Sequence, residues 1–146
     1  MSAEGDFLRA ESRNIEQVLV YARELLAKPA LNVHELTALG TFLHNAYSGV
    51  ERILRCRLVG TGRFPKTDSS WHKDLLKQSL GASLVTDSQY AVLLDLLRFR
   101  HYYVHGYGHL LDESETRRIA ESALPVIGEF LSAVSLFLKG QTDGEN

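Results

Sequence analysis

The chain has 146 residues, of which 45% are hydrophobic and 23% are charged, and its formal net charge at pH 7 is −2. This length suits one hydrophobic core, so we expect residues 1–146 to form a single domain. A net charge so close to zero excludes a strong overall attraction for polyanions, so any contact with nucleic acid must come from a local group of cations. The candidates are Arg52, Arg55, Arg57, Arg63, Lys66, Arg98 and Arg100. For most of them the competing interpretation is a solvated charged face.

Cysteine content and hydropathy indicate a cytoplasmic protein. Cys56 is the single cysteine, which excludes an intramolecular disulfide and fits a reducing compartment. Residues 1–6 lack the basic start and apolar core of a signal peptide. No run of about 18 apolar residues occurs, so we expect no segment to span a membrane.

Apolar side chains recur at three- and four-residue spacing along most of the chain, which predicts helices. In chain order the predicted helices cover Phe7 to Lys28, Asn32 to about Val59, Trp71 to Leu80, Thr86 to about Gly106, and Asp112–Ser114 to Lys139. Pro125 is expected to kink the last one, and the tail from about residue 140 to 146 is expected to fray. No strand pattern competes. The prediction is therefore an all-α fold, an up-down bundle of four long helices plus a short helix.

The segment Arg100–Tyr107 concentrates the reactive side chains of the chain. It holds one arginine, two histidines and three tyrosines within eight residues. Arginine is a fixed cation suited to phosphate, and histidine exchanges a proton near neutral pH. On a helix His101 and His105 share a face, whereas Arg100 and His105 are separated by about 140° unless the helix loosens at Gly106. Arg100 as the phosphate-binding cation and His105 as a general acid or base would suffice for metal-free cleavage of RNA, leaving a 2′,3′-cyclic phosphate.

Other interpretations of this segment stay open. His101, His105 and His109 are spaced four apart and could suggest a metal, but no acidic residue or cysteine lies among them, so we predict neither a metal nor a cofactor. At least one of Tyr102 and Tyr103 is expected to be a core aromatic. A helical scaffold with an incidental histidine cluster is the plainest alternative.

Polar residues outside the segment are assigned mainly structural roles. Glu51 stands beside several arginines and is expected to be their ion-pair partner on a helix face, with an active-site carboxylate as the lesser alternative. Trp71 is expected to pack over the end of the bundle. His72 is expected to be structural rather than an RNA contact, and His44 receives no catalytic role.

The segment from Arg98 to Asp112 resembles the HEPN superfamily, and within it the HepT-like ribonuclease toxins. In those toxins a polar residue directly follows an arginine. Four residues, including that polar one, separate the arginine from a histidine, and a tyrosine stands two positions after the histidine. Arg100, His101, His105 and Tyr107 occupy these places, with histidine where asparagine is common. Residues 42–54 and 71–76 look similar too, so the resemblance covers roughly residues 10 to 135.

This resemblance implies a HEPN-like bundle that forms a homodimer, with two Arg/His motifs facing one cleft. It implies an endoribonuclease toxin in which Arg100 and His105 are catalytic and His101 and Tyr107 support them. The implied partners are RNA and a nucleotidyltransferase antitoxin, which in some pairs silences the toxin by transferring AMP to the tyrosine that Tyr107 matches. Some HEPN proteins lack nuclease activity and serve as substrate-binding or accessory subunits of nucleotidyltransferases, and this alternative stays open.

Overall fold

The computed structural model describes residues 2–107 and 111–144, except for the side chains of residues 106, 107, 143 and 144. Its elements are α1 (Ala3–Leu26), α2 (Val33–Gly60), α3 (Trp71–Gly81), α4 (Asp87–Tyr102), a π-helical turn (Tyr103–Tyr107) and α5 (Glu113–Gly144). The described residues contain no strand, and the predicted all-α bundle is confirmed. The central helix is α2, which packs against each of the other four α-helices.

Two helices begin at capping residues, and these are the residues at which the sequence predicts the helices to start. The Asn32 side chain accepts from the backbone N–H of Glu35 at 2.8 Å, and the Glu35 carboxylate accepts from the backbone N–H of Asn32 at 3.0 Å. Thr86 and Gln89 form the same reciprocal pair at the start of α4. Because such a box satisfies two backbone donors at once, it fixes where each helix starts.

The first helix begins earlier than predicted. It starts at Ala3 rather than Phe7, because Ser2 caps it by accepting from the backbone N–H of Gly5 at 3.0 Å. Acidic side chains in this first turn also favour the positive end of the helix dipole. The start of α1 was therefore marked in the sequence by the cap Ser2 and the acidic residues Glu4 and Asp6, although the apolar repeat begins later.

The short helix α3 begins without a side-chain cap. The Ser70 side chain makes no capping hydrogen bond. Instead its backbone N–H and its hydroxyl both donate to the Asp68 carboxylate, at 2.9 and 2.6 Å. These hydrogen bonds fix the loop that leads into Trp71.

The last helix is longer than predicted. It runs unbroken through Pro125 and continues past Lys139 to Gly144. Residues 145–146 lie outside the described part of the chain.

One stretch of α5, Glu113–Thr142, is long and apolar enough to cross a membrane by length and composition. The sequence analysis expected no membrane-spanning segment because no continuous apolar run occurs, and this helix qualifies that expectation. A core helix of a soluble protein passes the same test, so the stretch is weak evidence for a membrane span. Its buried side chains recur at helical spacing and pack on the other helices: Ala120, Ala123, Ile127, Leu131, Val134 and Leu138.

Gly49 marks a close approach between α1 and α2. A Cβ atom there would lie 2.6 Å from Cγ1 of Ile15 and 2.8 Å from its Cδ1, and Ile15 is only 2% exposed. Because Ile15 has little room to move, we expect Gly49→Ala to lower the free energy of unfolding by about 1–3 kcal/mol in urea denaturation. Gly140→Ala is the matched helical control, since a Cβ there meets nothing within 4 Å, and it should stabilise by about 0.5–1 kcal/mol. A Gly49→Ala protein as stable as the wild type would contradict this packing.

Candidate active site

The Arg/His segment lies where the regular α-helix widens. The last α-helical residue of α4 is Tyr102, and Tyr103–Tyr107 form a π-helical turn. In such a turn each N–H bonds to a carbonyl five residues back rather than four, and these turns are frequent at functional sites. The wider turn reduces the angle of about 140° that a regular α-helix would place between Arg100 and His105. The loosening expected near Gly106 is therefore confirmed, in a form that the sequence did not specify.

The two histidines of the segment lie against each other. The ring centroids of His101 and His105 are 4.3 Å apart and the rings are inclined at 53°, so they share a face as predicted. Both residues are exposed. In the described part of the chain no hydrogen bond joins Arg100 to His105.

Arg100 occupies the last turn of α4 and is half-buried. Its Nε atom is buried and has no hydrogen-bond partner. No carboxylate of residues 2–107 or 111–142 lies within ion-pair distance of its guanidinium. A buried donor without a partner costs about 1–3 kcal/mol. An anionic ligand that accepts from this guanidinium would remove that cost.

A groove of about 560 Å³ opens between α3 and α4, on the side where Arg100 lies. Its polar lining consists of Ser69, Ser70, His72, Lys73, Arg98, Arg100 and His101, and its apolar lining of Leu94 and Leu97. Three of these side chains are fixed cations and none is acidic. A concave surface with this charge concentrates phosphate groups even though the whole chain is nearly neutral.

Of the seven basic residues suggested by the sequence, only Arg98 and Arg100 line this groove. Arg52 is paired with Glu11 on α1, at 2.8 Å between Nε and Oε1. Arg57 lies with its guanidinium 3.6 Å from the centre of the Phe137 ring. These two arginines therefore serve packing and surface pairing rather than the groove.

Glu51 is where the sequence interpretation was wrong. It is 4% exposed, and it makes no ion pair with the neighbouring arginines of α2. Instead the Tyr47 hydroxyl donates to its Oε2 at 2.7 Å, and Nδ1 of His72 lies 2.5 Å from the same oxygen. Tyr47 and Glu51 are four residues apart on the inner face of α2. That spacing was the feature of the sequence from which their contact could have been predicted.

The electrostatic field of this cluster extends to His44 and Tyr47. Burial lowers the pKa of the His44 imidazole below its usual 6.5, and the positive charge of Arg100 lowers that pKa further. Burial, followed by the charge of Glu51 and the hydrogen bond to it, raises the pKa of the Tyr47 phenol far above its usual 10.0. Tyr47 therefore keeps its proton and remains a donor to Glu51. Arg100 and Glu51 act on both groups with opposite signs, so a buried anion and a half-buried cation share this part of the bundle.

Tyr103 attaches the π-helical turn to α2. Its hydroxyl lies 2.6 Å from the Thr41 hydroxyl, and its ring stacks on the His44 ring with centroids 5.2 Å apart. Gly40 lies nearby and permits the close approach of Leu111, since a Cβ there would lie 2.5 Å from Cδ1 of Leu111. Tyr103 is thus the core aromatic expected among the pair, whereas Tyr102 is 41% exposed.

Two of the predicted residues cannot be placed in this site. The backbone of Tyr107 closes the π-helical turn, but its side chain lies outside the described residues. His109, the third histidine of the metal pattern, also lies outside them. Among the residues that the structure describes, no group of three potential metal ligands occurs.

Comparison with known proteins identifies the family. A family model described as HepT-like protein matches residues 38–140, which is more than half of the chain. The match contains nearly all of α2, the whole of α3 and α4, and the π-helical turn, and thus every residue that lines the groove. No curated protein and no solved structure matches the chain significantly. On the family match and the helical architecture that accompanies it, the chain belongs to the HepT-like family of HEPN proteins.

Proposed function

We propose that this protein is a metal-independent endoribonuclease that acts as the toxin of a toxin–antitoxin pair. The observation that supports this most directly is Arg100, whose buried Nε has no partner and whose groove has cations but no acidic side chain. The paired rings of His101 and His105 continue from it along the chain. The RNA substrate and the antitoxin would both be met in the cytoplasm.

The proposed reaction is transfer of the phosphodiester within one nucleotide. The 2′-oxygen bonds to phosphorus while the bond from phosphorus to the 5′-oxygen breaks, which gives a 2′,3′-cyclic phosphate and a 5′-hydroxyl. Arg100 holds the phosphate and offsets the charge that develops on its oxygens. His105 exchanges a proton with the 2′-hydroxyl or with the leaving oxygen.

The test is incubation of the purified protein with RNA in excess EDTA, followed by analysis of the product ends. We expect cleavage to persist and the products to carry 2′,3′-cyclic phosphate and 5′-hydroxyl ends. Cleavage that depends on an added divalent metal, or products with 5′-phosphates, would contradict the mechanism. Binding of RNA without cleavage would favour the accessory-subunit alternative.

We also propose that the active form is a homodimer. One arginine and one histidine make a sparse site, and two grooves brought together by a two-fold axis would double the local positive charge. The net charge of the chain is −2, so no overall positive field attracts RNA. A doubled local positive charge at the paired grooves would therefore strengthen RNA binding. Sedimentation that finds a fully active monomer would contradict this part of the proposal.

Tyr107 is the proposed acceptor of AMP from a nucleotidyltransferase antitoxin. It follows His105 by two residues, so an AMP group on it would place a phosphate close to Arg100 and compete with RNA for that cation. We expect ATP and the cognate enzyme to add the mass of AMP to the wild type but not to Tyr107→Phe. Tyr102→Phe is the matched control and should still be modified. An adduct mapped to Tyr102, or no adduct with a partner of proven activity, would remove Tyr107 from this role.

A further inference from the structure

We infer that His72, oriented by Glu51, is a second catalytic residue of this groove and acts as the general base toward the 2′-hydroxyl. The inference deepens the proposed function and rests on it. It assigns His105 to the other proton transfer, at the leaving oxygen.

The contact with Glu51 determines which nitrogen of His72 is available. Nδ1 lies 2.5 Å from Oε2 of Glu51, and a carboxylate can only accept, so Nδ1 carries the hydrogen. In a neutral imidazole the other nitrogen, Nε2, then holds a lone pair. His72 also lines the groove, and because Nδ1 is engaged, Nε2 is the nitrogen left for a substrate. This is how a carboxylate fixes the tautomer of a histidine base.

The ring of His72 is held in place by its surroundings. It stacks on the Trp71 ring with centroids 3.6 Å apart, and the Arg55 guanidinium lies 4.8 Å from the centre of that indole. Glu51 is itself held by the Tyr47 hydroxyl. A base confined in this way needs little reorganisation when it reacts, which favours proton transfer.

A purely structural role explains the pair less well. Burying a carboxylate costs several kcal/mol unless it is paired and fully hydrogen-bonded, and a neutral glutamine could accept from Tyr47 and His72 alike. An anion in this place is useful if His72 must become positively charged, since the carboxylate stabilises the imidazolium that forms when the base takes a proton. Arg100, His101 and Lys73 share the groove and would otherwise oppose a further positive charge there.

The two histidines complete the reaction between them. Nε2 of His72 takes the proton of the 2′-hydroxyl as its oxygen bonds to phosphorus. His105 gives a proton to the 5′-oxygen as its bond to phosphorus breaks. Arg100 remains on the phosphate throughout, and exchange with water returns both histidines to their starting states.

The test compares His72→Gln and His105→Ala on two RNA substrates. One substrate is ordinary, and the other has sulfur in place of the 5′-oxygen at the cleavage site, so that its leaving group needs no proton. On ordinary RNA we expect each variant to lose at least about 100-fold in kcat, with little change in KM. On the sulfur-containing substrate His105→Ala should recover most of its rate, whereas His72→Gln should stay slow. Lys77→Ala, an exposed residue of α3 outside the groove, should match the wild type on both substrates.

Further variants keep the test decisive if His72→Gln does not fold. Glu51→Gln preserves the volume of Glu51 and should lower kcat with unchanged KM, and added imidazole should partly restore cleavage by His72→Ala. A folded His72→Gln protein with the wild-type kcat, beside an inactive His105→Ala protein, would overturn the inference and leave the proposed function intact. Recovery of His72→Gln rather than His105→Ala on the sulfur substrate would overturn the assignment of the base. A wild-type protein that cleaves neither RNA would overturn both proposals.

Discussion

Replacement of Arg100 or His105 with alanine is expected to reduce the rate of RNA cleavage by at least about 100-fold, while the fold is kept. Arg100→Ala removes the cation that is proposed to offset charge on the phosphate. His105→Ala removes the imidazole that is proposed to carry out one of the two proton transfers. His105 is exposed and Arg100 is half-buried at a helix end, so neither substitution opens a cavity in the core.

The matched control for these variants is Val104→Ala. Val104 is 48% exposed and stands beside His105 in the same π-helical turn. It should cleave RNA at the wild-type rate, which would show that the turn tolerates substitution. Undiminished cleavage by a folded, pure His105→Ala protein would exclude His105 from the mechanism, and the same result for Arg100→Ala would exclude Arg100.

Truncation of Tyr47 to alanine is expected to lower the free energy of unfolding by about 3–5 kcal/mol, as for other large buried aromatic residues. Tyr47 is fully buried on α2 and is among the largest side chains of the core. Tyr47→Phe separates the two contributions of this residue. It keeps the ring but removes the donor to the buried Glu51 carboxylate, and we expect a loss of about 1–3 kcal/mol.

Both variants are to be compared by chemical denaturation with Tyr21→Phe, in which the altered tyrosine is 44% exposed. That control should stay close to the wild type, because an exposed hydroxyl exchanges its contacts with water at little cost. If Tyr47→Phe proves as stable as the wild type, Glu51 does not depend on this hydrogen bond and the account of the buried cluster needs revision.

Local sequence signals predicted those parts of the molecule that local contacts decide. The caps at Asn32 and Thr86 act within three residues of the helix start and are visible as short motifs. The shared face of His101 and His105 follows from one turn of helix. The sequence predicted only that the helix weakens near Gly106, and it did not predict a π-helical turn. Apolar spacing does not distinguish a helix that ends from one whose hydrogen bonds change from four-residue to five-residue spacing.

The parts that were missed depend on contacts between distant segments. Glu51 and His72 are 21 residues apart and meet only because α3 packs on α2. On the sequence alone, the arginines beside Glu51 were the nearer and more obvious partners. The groove is a further example, since Lys73 and Arg98 come from different helices and nothing in either helix marks them as neighbours.

Arg100 and His105 are proposed to cleave RNA together without a metal. The most direct measurement is the single-turnover rate on one RNA in EDTA for the wild type, for each alanine variant and for the double variant. Because both residues are proposed to act on the same transition state, we predict that the double variant is scarcely slower than either single variant, and that all three are at least about 100-fold slower than the wild type. A double variant that cleaves at the wild-type rate would contradict the account.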